Sequence, residues 1–478
     1  MAPVAIITEE FTTKSRSKAS TQSPSAVLHR SIRDAPHKVI AASGNYLTLS
    51  NGQQILDATG GAAVACIGHS NVRVKKAMLS QMNEVSYCHS LFFGSSGTEQ
   101  LAKELIWSTR GEMSKAFIVS SGSEAMEAAM KLSRQYFLEL SPSQPRRTNF
   151  IARKESYHGT TLGSLSMGGH LARRKIFEPM LLHNTSHISA CNTYHGLARG
   201  ETVEDYVERL AQELEDEFQR LGPETVCAFV AEPVVGAASG CVPAVRGYFE
   251  AMRGVCRRHG ALLIFDEVMC GMGRTGTLHA WEQEGVVPDI QTIGKGLGGG
   301  YSPIAAVLIN HRIVDALDRG SGSFCHGQTY QGHPVACAAA AEVQRIIREN
   351  NLVENVKIMG RYLAESLRKR LGQHLHVGDI RGRGLFWGIE FVKDRTTKTP
   401  FDPTAGVAMA IHNRAISADY GISLYPGTGC VDGVRGDHII IAPAYNVSRE
   451  DVDVIVDLTT RVIEDVFGRA EFGRAKFY

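Results

Sequence analysis

Residues 264–300 read IFDEVMCGMGRTGTLHAWEQEGVVPDIQTIGKGLGGG, and two short apolar runs in and just before this stretch decide the fold. The first, residues 261–265, ends at Asp266 and Glu267; the second, residues 290–293, ends at Gly294, Lys295 and Gly296. Runs of this length bounded by turn residues read as buried strands, and in open α/β sheets ligands collect beyond the carboxyl ends of the strands. An acid and a lysine therefore emerge on one rim. The glycines on either side of Lys295 let the backbone bend closely around a ligand.

An amine in a partly desolvated pocket condenses with a carbonyl, and a carboxylate beside a pyridine nitrogen keeps that nitrogen protonated, so that the ring accepts electrons. Lys295 and Asp266 are the two groups that pyridoxal phosphate asks of a protein. Each also has a plainer reading: an Asp-Glu pair as a cap or surface turn, a lysine in a glycine loop as a solvated cation. The same stretch contains Gly271-Met-Gly273-Arg-Thr-Gly276, the spelling of a dinucleotide fingerprint and hence of a nicotinamide oxidoreductase. Its context opposes that reading. Asp-Glu-Val-Met-Cys separates it from the strand, no long amphipathic helix follows it, and Asp289 precedes the next strand instead of ending it.

From residue 114 to about 309, strand-like runs alternate with helical ones, which indicates an α/β fold with a mostly parallel sheet covered by helices. Beyond Pro334 the pattern changes to two long amphipathic helices, about 335–350 and 352–371, short strands near 385–392 and 439–441, and a last helix from Arg449. This texture predicts a smaller α+β domain. The expected division is a mobile arm over 1–25, a segment over 26–85 that contributes to the small domain and carries a hairpin at Asn51-Gly52, a large domain over 86–334, and the small domain over 335–478.

The 478 residues carry 51 Lys+Arg against 49 Asp+Glu, a formal charge of +2, so nothing calls for nucleic acid or a membrane surface as partner. The 10 cysteines form no C-x-x-C pair, and no metal site is expected. The first 25 residues lack the long apolar block of a secretory signal; a mitochondrial presequence fits their Arg and Lys but not Glu9 and Glu10, which leaves a cytoplasmic protein as the expectation.

Other groups converge on a phosphorylated, flat cofactor. Ser120-Ser121-Gly122-Ser123 lies between a strand run and a helix expected to start near Glu124, where free amides hold phosphate; a simple serine cap is equally consistent. In Tyr157-His158-Gly159 an aromatic ring and an imidazole precede a glycine turn, and one of them can stack on the ring. Glu232 ends the apolar run 226–230 and reads either as a ligand of ring substituents or as an exposed loop acid. The block from His326 to Pro334 offers hydroxyl and imidazole donors where the texture changes.

These segments together resemble the class III pyridoxal-phosphate aminotransferases of fold type I, through FDEVMCGMGRTG, DIQTIGKGLGGGYSP, SSGSEAMEAAMKL, YHG, AEPVVG and HGQTYQGHP. The resemblance implies that Lys295 holds the cofactor as a Schiff base and Asp266 pairs with its ring nitrogen. It puts Val268 against one face of the ring and Tyr157 on the other, with His158 beside it. Gly122 and Ser123 take the phosphate, helped by Thr329 of a partner subunit. It also implies a homodimer with shared sites, in which residues 87–93, Tyr87, Phe92 and Phe93 among them, line the substrate pocket. The activity implied is ping-pong transfer of an amino group to a keto acid such as pyruvate or 2-oxoglutarate. The same groups also support racemases, decarboxylases and aminomutases.

The sequence departs from many relatives near its C-terminus, where a carboxylate-gripping arginine is missing from the strand of Gly436-Asp-His-Ile-Ile-Ile-Ala-Pro443. Arg435, just upstream among glycines, is either a solvated loop residue or a mobile arm that pairs with a carboxylate and retracts for an amine, as in the ω-transaminase branch. On the second reading the donor is an amine or ω-amino acid.

Overall fold

In the computed structural model, which describes residues 25–468, Leu262–Asp266 is the middle strand of a seven-stranded sheet. The order across it is Met113–Val119, Ala305–Asn310, Ile290–Ile293, Leu262–Asp266, Val226–Ala231, Asn149–Arg153 and Thr185–Ile188. Every residue of Val226–Ala231, Leu262–Asp266 and Ile290–Ile293 is buried, which explains why these runs show no polar alternation. Pairing is parallel except around Ala305–Asn310, which runs antiparallel to both its neighbours. Two reversals cancel. Met113–Val119 therefore points the same way as Ile290–Ile293 and delivers the Ser120–Ser123 turn to the rim that carries Asp266.

Helices cover both faces. Gly122–Glu139 lays Ala125, Ala128, Ala129 and Leu132 on one of them, and these share a core with Cys227, Ile264 and Val307. Val203–Leu221 covers the other. It opens with a capping box, the Thr202 hydroxyl accepting from the Asp205 amide and the Asp205 carboxylate from the Thr202 amide. Tyr206, Leu210, Leu214 and Phe218 recur every four residues and are buried against the sheet, so truncating Leu214 to alanine is expected to cost about 2–5 kcal/mol.

The C-terminal part is a four-stranded antiparallel sheet, in the order Val377–Arg383, Phe386–Phe391, Asp437–Ile441 and Tyr425–Thr428, packed against the helices Leu352–Leu371 and Arg449–Gly468. The expected hairpin forms, with Tyr46–Leu49 antiparallel to Gln54–Asp57. The latter pairs in parallel with Ile422–Ser423, and Leu56 and Val74 join the same core as Leu363 and Ile389. Pro334–Glu349 has two buried faces: Val343 and Ile346 belong to this core, Ala336 and Ala340 to one under the sheet.

Two differences from expectation have simple causes. The helix after the Ser-rich turn begins at Gly122 instead of near Glu124, because Ser121 supplies the cap. Asn149–Arg153 and Thr185–Ile188 escape pattern reading because they are short and polar residues break or flank their apolar positions. The arm expected over 1–25 lies, except for Ser25, outside the described residues.

Candidate active site

Strand register assembles the rim. Phe265 lies opposite Ala231 and Asp266 opposite Thr292, so Glu232, Asp266 and Lys295 leave three adjacent strands toward the same side. Asn149–Arg153, next in the sheet, leads into Tyr157 and His158.

Asp266 is held on both oxygens. His158 Nδ1 is 2.7 Å from Oδ2, while Oδ1 accepts from the Val268 amide at 3.0 Å and the Thr292 hydroxyl at 3.3 Å. The His158 ring is buried and its Nε2 has no partner. Glu232, read from sequence as either a ligand or an exposed acid, is buried; it accepts from the Tyr157 amide at 3.1 Å and the Gly236 amide at 3.0 Å. Burial pushes its carboxyl above the usual range, with His158 and the two amides pulling it back. Glu267 faces away from Asp266. Its carboxylate accepts from the Ala280 and Trp281 amides at 2.6 and 2.8 Å, and burial pushes it up to about 8. One acid of the pair serves the rim and the other the loop behind it.

Lys295 follows Gly294 with a φ of 45°, a left-handed conformation that costs a side-chain-bearing residue about 1–3 kcal/mol and concentrates at functional sites. Its turn is fixed from below by Gln344, whose amide donates to the carbonyls of Gly296 and Leu297 at 3.0 and 2.8 Å. Burial pushes the amine down to about 8, against the pull of Asp266 and Glu232. Among the described residues no ion pair holds it.

At the start of the Gly122–Glu139 helix the Ser121 hydroxyl accepts from the Glu124 amide and the Glu124 carboxylate from the Ser120 amide. The amides of Gly122 and Ser123 are first-turn donors, the kind that binds anions. A Cβ on Gly122 would sit 2.8 Å from a Val268 methyl, so these two residues are in contact. Ser123 Oγ accepts from the Thr160 amide at 3.0 Å, and Gly159, at φ 131°, would bring a Cβ within 2.5 Å of Ser123 Oγ. The Tyr157 ring carries the Arg173 guanidinium at 4.8 Å.

The residues expected to meet the substrate stand apart. Tyr87 donates to the Thr329 carbonyl at 3.0 Å and meets Tyr330 edge-on, while Phe92 lies against His89 and Phe93 and both phenylalanines are exposed. Arg435 is paired with Asp432, Nε to Oδ2 at 2.7 Å. No contact ties Tyr87, Phe92, Phe93, Thr329 or Arg435 to Lys295 or Asp266 among the described residues.

The glycine fingerprint is structural. Arg274 within it is buried, donates to the Leu385 and Pro443 carbonyls and stacks on Tyr445, which fastens the sheet to the C-terminal part. Asp289 pairs with Arg253 and Arg312 and accepts from the Leu263 amide, so it offers no carboxylate to a ribose. Thr292 and Arg173 were not singled out from sequence. Thr292 was findable, being beside Asp266 once the two strands are adjacent; Arg173 gives no signal on its short polar segment.

The profile of the family Aminotransferase class-III matches residues 29–463. An aminotransferase of Gibberella zeae is 59% identical over 430 residues, covering 90% of this chain and 84% of its own. Gamma aminobutyrate transaminase 3 (chloroplastic) of Solanum lycopersicum is 35% identical over 450 residues, covering 91% of this chain and 82% of its own. The ω-transaminase of Pseudomonas jessenii, solved in complex with PMP, superposes with a TM-score of 0.85 at 33% identity over 92% of this chain and 94% of its own. Those aminotransferases are pyridoxal-phosphate enzymes of fold type I. With its acid, lysine and serine-capped turn on one rim of such a sheet, the chain belongs to the class III aminotransferase family and is an enzyme of that kind.

Proposed function

We propose that the protein binds pyridoxal phosphate at Lys295 and transfers an amino group from an amine or ω-amino acid to pyruvate or 2-oxoglutarate in two half-reactions. The observation that carries this reading is Lys295 itself: an amine brought down to about 8, with no ion pair among the described residues, in the turn that follows the strand paired with that of Asp266. The surroundings fit the cofactor. His158 has an unmet buried nitrogen, Gly122 and Ser123 present first-turn amides, and Val268 lies against Gly122 where a larger residue would collide.

When bound, the cofactor supplies an electron sink. Asp266, fixed by His158, Thr292 and the Val268 amide, holds the proton at the ring nitrogen. Gly122 and Ser123 take the phosphate, with Thr329 of a partner subunit. Val268 and Tyr157 confine the ring, and Glu232, held by two amides, faces its substituents. Lys295 Nζ, once neutral, takes the proton from the donor's reacting carbon and returns it on the cofactor side. Arg435, parked on Asp432 while an amine occupies the site, swings in for a keto acid's carboxylate.

The exposed Leu91, Phe92, Phe93 and Tyr330 support a homodimer that covers them and completes the substrate pocket. Ten unpaired thiols, eight of them buried, suit a reducing compartment such as the cytoplasm. Among the described residues no helix is long and apolar enough to cross a membrane.

A panel of amines, ω-amino acids and α-amino acids, each with pyruvate and with 2-oxoglutarate, tests the reading. Amines and ω-amino acids, 4-aminobutyrate among them, should convert the cofactor to its amine form faster than α-amino acids do. The reverse order would sink the donor assignment, and turnover without any keto acid would point to a racemase or decarboxylase.

A further inference from the structure

Arg173 and Arg174 are neighbours on the short helix Leu171–Arg174 and have opposite surroundings. Arg174 is buried and engaged: its guanidinium donates to the Ser166 and Gly168 carbonyls at 2.9 and 2.7 Å and pairs with Glu178 at 3.2 Å. Arg173 turns toward the site. Its guanidinium lies over the Tyr157 ring, half-buried, and among the described residues no carboxylate or carbonyl accepts a hydrogen bond from it. Its charge is felt at both Tyr157 and Lys295.

The helix is stitched to the segment that carries Arg435. The Ala172 amide donates to the Gly433 carbonyl at 2.9 Å, and His170 Nε2 lies 2.9 Å from the Thr428 carbonyl oxygen. The segments that carry Arg173 and Arg435 are thus joined, and of the two guanidiniums only that of Arg435 is paired with a carboxylate among the described residues. Stacking on an aromatic ring recovers part of the desolvation of a half-buried guanidinium but leaves its in-plane N–H groups unmet. Those groups form a fork that matches a carboxylate. The anion-binding turn at Ser121–Ser123 starts a different helix, so the cofactor's phosphate has its own seat and the anion left for Arg173 is the substrate's.

We infer that Arg173 receives a substrate carboxylate and is a specificity-determining residue of the site, acting beside Arg435 when that arm leaves Asp432. The inference rests on the transaminase reading and extends it to the residue that recognises the acid.

The test uses holoenzyme converted to its amine form with benzylamine, freed of donor and mixed with pyruvate or with propanal, which lacks the carboxylate. For Arg173→Gln the pyruvate concentration at half-maximal rate should rise roughly ten- to hundred-fold, the span of a lost charged hydrogen bond. The loss with propanal should be at least about ten times smaller, and Arg173→Lys should recover part of the pyruvate loss. Calorimetric titration with propionate, which cannot react, should show binding weakened by about the same factor in Arg173→Gln. Equal losses for pyruvate and propanal would mean that Arg173 only braces Tyr157, and undiminished propionate binding would equally overturn the inference. Wild-type enzyme that returns with propanal but not with pyruvate would instead remove the proposed acceptor class, and the propionate titration would then decide the role of Arg173 alone.

Discussion

Asp266 and Arg435 are both charged and both assigned to one site, yet the first is 5% exposed with both oxygens held from three elements, while the second has a side chain 57% exposed and a single partner three residues away. The floor of the site is placed by strand register inside a buried sheet. Its mouth is placed by loops. The floor can therefore define one chemistry with little freedom of position, whereas the mouth can change its residues at small cost to the fold, which suits a family with varied donors.

The sharpest way to break this contrast is Lys295→Ala, which should lower transamination by at least about 10⁴-fold in steady-state assays while the fold is retained. A smaller loss would mean that another group moves the proton. Asp266→Asn should cost about 10²–10³-fold and leave His158 Nδ1 facing a neutral amide; rates near wild type would detach Asp266 from the ring nitrogen. Gly159→Ala tests how tightly the floor is packed: a Cβ 2.5 Å from Ser123 Oγ and Ser164 Oγ in a positive-φ turn should cost about 1–3 kcal/mol in denaturant unfolding and loosen phosphate binding.

Titration gives a subtler measure. With the Lys295 amine at about 8 in the folded chain against 10.5 when exposed, the folded apoprotein holds fewer protons than the unfolded chain between those values. The burial penalty, about 3 kcal/mol, is therefore complete below pH 8 and relieved as the pH rises toward 10.5. Apoprotein carrying Lys295→Met should lose that slope, as thermal unfolding across the range would report. Least affected should be Arg435→Ala, whose stability should change by no more than about 0.5 kcal/mol, with loss confined to the keto-acid half-reaction. Equal loss in both halves would make the loop part of the floor.

The same contrast explains what could be read from the chain alone. Asp266 and Lys295 were legible because each directly follows an apolar run, so the strand signal and the chemical group are neighbours in sequence. The bond from His158 to Asp266 joins residues 108 apart and depends on which strands lie side by side, which no local pattern states. Glu232 was seen but not its burial, since a strand-end acid looks the same whether the next loop covers it or not. Arg173 was missed for the opposite reason: a four-residue helix has no periodicity, and an arginine's lack of an acid partner is visible only in three dimensions.

The pairing of Gln54–Asp57 with Ile422–Ser423 is backed by the hydroxyls of Thr59 and Ser423, 3.4 Å apart and 364 residues distant in the chain. During synthesis the early hairpin must wait for almost the whole chain to leave the ribosome before its last edge is covered. The order of manufacture thus leaves the sheet domain free to collapse first, and makes the nascent N-terminal strands the segment with most to gain from a chaperone.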